Sequence, residues 1–128
     1  MLLMVVTTFT ACKKDDPAPA PTPAQLIVGK WKKVTATVTR GSVTISDPAC
    51  NLDDTFEFTA SGSVIVTENT KCDPSEPATL TGTYSLSLDG KTLTLDTEVF
   101  NVSELTSTSL KVTESNVNTT SNVAFAKI

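Results

Sequence analysis

Tyr84-Ser85-Leu86-Ser87-Leu88-Asp89-Gly90-Lys91-Thr92-Leu93-Thr94-Leu95 decides the fold class. Apolar residues alternate with Ser and Thr on either side of Asp89-Gly90, the period of a strand with one buried face. Asp-Gly between two such runs marks a β-hairpin with a two-residue type I′ turn. That loop sets Leu86 across from Leu93 and Tyr84 across from Leu95. A three-residue loop would set Leu86 against Thr92 and split the apolar face.

The same pattern extends both ways along the chain. In Phe56-Glu57-Phe58 the phenylalanines share a face, and Thr59-Ala60-Ser61-Gly62 suits a tight turn closed by glycine. Phe58 then opposes Val64, and Phe56 opposes Val66. A long first strand around Lys30 to Thr39 and later runs Val99 to Leu105, Ser109 to Thr113 and Asn122 to Ile128 bring the total to about eight strands. Short sequential hairpins predict an all-β domain, an eight-stranded up-and-down antiparallel barrel that leaves no open edge, with a β-sandwich as the alternative. A membrane-spanning barrel would need strands of roughly ten residues and an aromatic girdle.

Size and composition narrow the function. The 128 residues allow one domain. Net charge is −4 with scattered basic residues, which argues against a nucleic-acid partner. No histidine is present, which removes the usual imidazole base and the commonest zinc ligand. Asp53-Asp54 and Asp96/Glu98 are the only acidic groupings that invite catalysis, and they lack the paired geometry of a carboxylate mechanism. Asp73/Glu76 lacks the spacing of a calcium loop. The expectation is no enzyme, no cofactor and no metal.

Leu2 to Ala11 is an apolar run of the length of a signal-peptide core, too short to span a bilayer. Phe9-Thr10-Ala11-Cys12 resembles a bacterial lipobox, which implies lipid on Cys12 and cleavage before it. Lys13-Lys14-Asp15-Asp16 is similar to the acidic tag that sends some lipoproteins to the outer face of the outer membrane. Pro17, Pro19, Pro21 and Pro23 then make a semi-rigid spacer of roughly 30 Å. The chain thus divides into a signal peptide at 1–11, an anchored linker at 12–23 and a β domain at 24–128, placed in the cell envelope as an outer membrane lipoprotein exposed at the surface. In that oxidising setting Cys50 and Cys72, both in turn-rich segments, are expected to form a disulfide.

Gly29-Lys30-Trp31 at the first strand, Gly82-Thr83-Tyr84-Ser85-Leu86, Asp89-Gly90-Lys91-Thr92-Leu93 and the Cys50/Cys72 pair together resemble small lipocalin-like lipoprotein domains of bacteria. The resemblance covers residues 24–128 and implies a barrel whose floor is anchored by Gly29 and Trp31. Lipocalins set a late-strand arginine against this Trp, and here only Lys111 or Lys127 is left for that place. Trp31 is odd-numbered whereas Val34, Ala36 and Val38 are even, so a bulge is expected near Lys32-Lys33. The inward set is then Phe56, Phe58, Val64, Val66, Leu80, Tyr84, Leu86, Leu93, Leu95, Phe100 and Phe125. Such a lining suits a small apolar or amphipathic ligand, with Tyr84 as a polar handle and Gly82 leaving space. The same residues could instead fill the barrel, leaving a structural or interaction subunit of an envelope complex.

Overall fold

The structure is a computed structural model and describes residues 15–128; the signal-peptide run and Cys12 lie outside the described residues. Thr22 opens helix α1 (Pro23–Ile27) as a capping box, its hydroxyl accepting from the Gln25 N–H while the Gln25 side chain accepts from the Thr22 N–H. Proline at the first position needs no hydrogen bond there. The strands follow as β1 (Gly29–Arg40), β2 (Val43–Ser46), β3 (Thr55–Phe58), β4 (Ser63–Thr67), β5 (Thr79–Leu86), β6 (Thr92–Leu95), β7 (Glu98–Leu105), β8 (Ser109–Asn116) and β9 (Thr119–Lys127). A single-turn helix α2 (Ala49–Leu52) lies between β2 and β3.

From β3 to β9 each strand pairs antiparallel with the next, and β1 pairs with both β3 and β9. Eight strands therefore close into a barrel, which excludes the sandwich. β2 is additional. One edge of β1 carries β9 from Trp31 to Arg40; the other carries β3 along Gly29 to Lys32 and β2 along Thr37 to Arg40. Sequence pattern does not reveal β2, because its four residues offer only Val43 and Ile45 and all four are exposed. It forms because Gly41 takes a left-handed φ of 61° and turns the chain onto the edge of β1 above β3.

Both expected hairpin registers are present: Phe58 opposes Val64, Phe56 opposes Val66, Leu86 opposes Leu93 and Tyr84 opposes Leu95. The turn at Asp89-Gly90 differs. A type I′ turn needs positive φ at both central residues, yet only Gly90 has it, at 70°. The Gly90 N–H instead bonds the Ser87 carbonyl, and Ser87 N–H bonds Thr92 O across a longer loop. Adding one residue on each side leaves the register unchanged. The side chains of Ser87 and Asp89 supply the turn's remaining bonds, to each other and to the Lys91 and Thr92 N–H groups.

The bulge in β1 falls between Lys33 and Thr35, one residue beyond where it is expected. Trp31 and Lys33 thus face inward below it and Ala36 above it, while Val34 is turned out to 45% exposure. The core centres on Ile27, Trp31, Phe58, Leu93 and Leu110, all fully buried. Burying each of Ile27, Phe58, Leu93 and Leu110 is worth about 1.5–3 kcal/mol.

Candidate functional site: the barrel interior and its mouth

One end of the barrel is shut. α1 crosses it, Ile27 plugs it, and the Trp31 indole Nε1 donates to the Ile27 carbonyl at 2.7 Å. Lys127 completes the floor, with Nζ donating to Leu26 O at 2.8 Å and lying 5.0 Å from the Trp31 ring centroid. Lys127, from the last strand, therefore takes the place opposite Trp31, while Lys111 pairs with Glu104 at 2.9 Å on the surface. Gly29 has φ 129°, a region nearly closed to other residues, and a Cβ there would stand 2.8 Å from Lys127 Cε.

Above the floor lies a cavity of ≈ 220 Å³. Phe56, Phe58, Leu93, Leu95, Phe100 and Phe125 from the expected inward set line it, joined by Lys33, Glu98, Val112 and Val123. Phe56 and Phe125 meet edge-to-face, with centroids 5.0 Å apart and planes at 73°. The other expected lining residues lie elsewhere. Val64 is buried in the core, and Val66, Tyr84 and Leu86 pack against that core rather than on the cavity. Leu80 has the inward parity but sits where the wall flares open, half exposed at 50%.

Tyr84 is also no free polar handle. Its hydroxyl donates to Thr59 O at 2.6 Å, its ring stacks edge-on against Phe58, and burial raises its pKa. Nor does Gly82 leave space. The Asp96 carboxylate lies over it, 2.7 Å from where a Cβ would be, and accepts from the Thr83 N–H at 2.8 Å. Asp96 reaches that position from a tight β6–β7 turn with its own φ at 51°.

The polar group of the interior is Lys33, which a strand-by-strand search for apolar residues passes over. Its signal was the parity of Trp31: two residues on, the same face. Across from it, Asp54 continues the inward parity of Phe58 and Phe56, and the Lys33 N–H bonds the Asp54 carbonyl at 3.0 Å. Lys33 Nζ lies 3.5 Å from Asp54 Oδ2, 3.8 Å from Asp47 Oδ2 and 5.7 Å from the Phe56 ring centroid. The Asp54 residue is 6% exposed, and burial raises its pKa against the opposing pull of Lys33. Its Oδ1 is buried without a hydrogen-bond partner.

The rim beside this pair is stapled. A disulfide joins Cys50, on α2, to Cys72, in the β4–β5 connection, with Cα atoms 5.3 Å apart. Asp53 adds bonds to the same connection, accepting from the Thr70 hydroxyl and, through its backbone carbonyl, from Asn69 Nδ2. Among the described residues no three His, Cys, Asp or Glu side chains converge as a metal site.

The chain matches the family model of the lipocalin-like domain over residues 27–112. The barrel superimposes on the crystal structure, at 1.79 Å, of a lipocalin-like protein from Bacteroides uniformis ATCC 8492 with a TM-score of 0.54. The two chains are 17% identical, the match covering 80% of this chain and 98% of that one. No curated protein matches. The closed eight-stranded barrel, its Trp31 floor and the family match over most of the chain place this protein in the lipocalin-like domain family.

Proposed function

We propose that this domain is a non-catalytic binding module that holds one small apolar or amphipathic molecule inside its barrel. The observation that carries the reading is the ≈ 220 Å³ cavity walled by four phenylalanines, with Lys33 and Glu98 as the charged residues of its lining. Apolar cavities with a few convergent polar groups are where small ligands bind. The test is to purify the protein, extract it for bound small molecules, and screen apolar compounds by thermal shift. A bound compound supports the reading; neither extract nor shift overturns it.

The apolar run Leu2 to Ala11, Cys12 and the proline-rich linker support an envelope location, with the domain held by lipid on Cys12 at the outer membrane and displayed at the surface. Intact-mass analysis of the mature protein tests the lipid, and protease treatment of whole cells tests the display. An unmodified secreted chain removes the anchor.

A second reading is favoured by β2. Val43 and Ile45 are 58% and 65% exposed, and among the described residues no strand pairs with the outer edge of β2. Such an edge suits addition of a strand from a partner, as in a structural subunit of an envelope complex. Crosslinking in cells separates the two readings, since a carrier gives no stable protein partner.

A further inference from the structure

Resting on the carrier reading, we propose that Glu98 is the polar subsite of the cavity and that it selects a cationic amphiphile, a primary amine on a small apolar body. Glu98 pairs with Leu95 across the β6–β7 turn, and Phe100 pairs with Leu93. Cross-strand partners share a face, so Glu98 stands on the inner wall at the mouth, two residues along β7 from Phe100. Leu93, Leu95, Glu98 and Phe100 all line the cavity. Glu98 is exposed and makes no ion pair among the described residues. Its neighbour Asp96 is spent on Thr83, accepting from the N–H at 2.8 Å and from the hydroxyl at 3.1 Å. The carboxylate left over at the mouth is that of Glu98.

Lys33 is the other charged residue of the lining, and its charge is already answered. Asp54 Oδ2 lies 3.5 Å from its Nζ and Asp47 Oδ2 lies 3.8 Å from it. One cation thus stands among three carboxylates, and of these Glu98 alone is uncommitted. An anionic head entering the mouth meets that excess of negative charge, whereas an ammonium is drawn to it. Position favours the ammonium as well. Burying an amine in an apolar slot is costly, but at the rim it keeps part of its hydration while its body fills the space below. Size sets the rest. A cavity of about 150 Å³ holds benzene, so ≈ 220 Å³ suits a molecule of about nine heavy atoms.

The experiment is calorimetric titration of the full chain carrying Cys12→Ser, which leaves no sulfur at that position to acylate. Three probes of one shape are compared: phenethylamine, 2-phenylethanol and phenylacetate. The amine is expected to bind about threefold to fivefold tighter than the alcohol, the worth of one solvent-exposed ion pair, and phenylacetate is expected to bind weakest. Raising the ionic strength from about 0.01 M to about 1 M shortens the Debye length from roughly 30 Å to roughly 3 Å and closes most of that gap. Glu98→Gln, close to isosteric and at an exposed position, removes the amine's advantage over the alcohol. The alcohol or phenylacetate binding as tightly as the amine overturns the subsite and leaves the carrier reading standing. An amine advantage that survives Glu98→Gln or high salt does the same. Failure of all three to bind overturns both.

Discussion

Lys127 closes the floor over Trp31: its ammonium lies 5.0 Å from the indole ring centroid and donates to the Leu26 carbonyl, a residue 101 positions away in the chain. One side chain thus ties the last strand to the helix that precedes the first. Lys127→Met keeps the length of the side chain and removes the charge. It is expected to cost about 1–3 kcal/mol, a cation–π contact plus a hydrogen bond. Lys127→Arg is expected to recover much of that. Urea unfolding followed by the fluorescence of Trp31, the only tryptophan, measures both.

Gly29 precedes Trp31 in a conformation that side chains avoid. Gly29→Ala is expected to destabilise by about 1–3 kcal/mol, mostly from backbone strain, because the nearby Lys127 Cε can shift. The same denaturation assay reads it, with a variant as stable as the parent counting against a strained floor.

The disulfide spans a separation of 22 residues. Changing Cys50 and Cys72 together to Ser is expected to lower stability by about 3 kcal/mol on loop-closure entropy. The native barrel should persist, since none of its strand pairs runs through the bridge. Circular dichroism before and after reductant checks the fold, and chemical denaturation checks the magnitude.

Asp54 gives a pH prediction with a definite sign. Burial raises its folded pKa above the unfolded value, so the fold binds this proton more tightly than the unfolded chain does. Its contribution is fully present below the unfolded pKa and is lost as pH rises through the folded one. Asp54→Asn carries no such proton. The stability of the parent relative to Asp54→Asn should therefore fall as pH rises from about 3 to 7. Urea midpoints across that range decide it, and a difference that grows with pH would reverse the assignment.

The parts legible in the sequence are those where two strands state the same thing. Leu86, Leu93, Tyr84 and Leu95 fix a register even though the turn between them is of another type, because parity depends on which side chains meet. The Trp31 floor was legible as a motif, and Lys127 as one of two basic residues on the late strands. Helix α1 was missed although Thr22 and Gln25 carry the capping-box spacing, since five residues give too little periodicity to read. The cavity was half legible. Phe56, Phe58, Leu93, Leu95, Phe100 and Phe125 follow from alternation, but Leu80 obeys the same rule at a level where the wall has flared. Lys33 and Asp54 were unreadable as interior residues, because charged residues are assigned outward unless a partner across the strand can be seen.

The two ends of this barrel are secured by different chemistry. The floor is held by packing, a capped helix and one lysine, whereas the rim between α2 and the β4–β5 connection is held by sulfur. Without the disulfide the base keeps all of its contacts, while the rim keeps only the Asp53 bonds to Asn69 and Thr70. The covalent link at the opening needs an oxidant to form, so a reductant reaches the rim of the barrel without touching what holds its base.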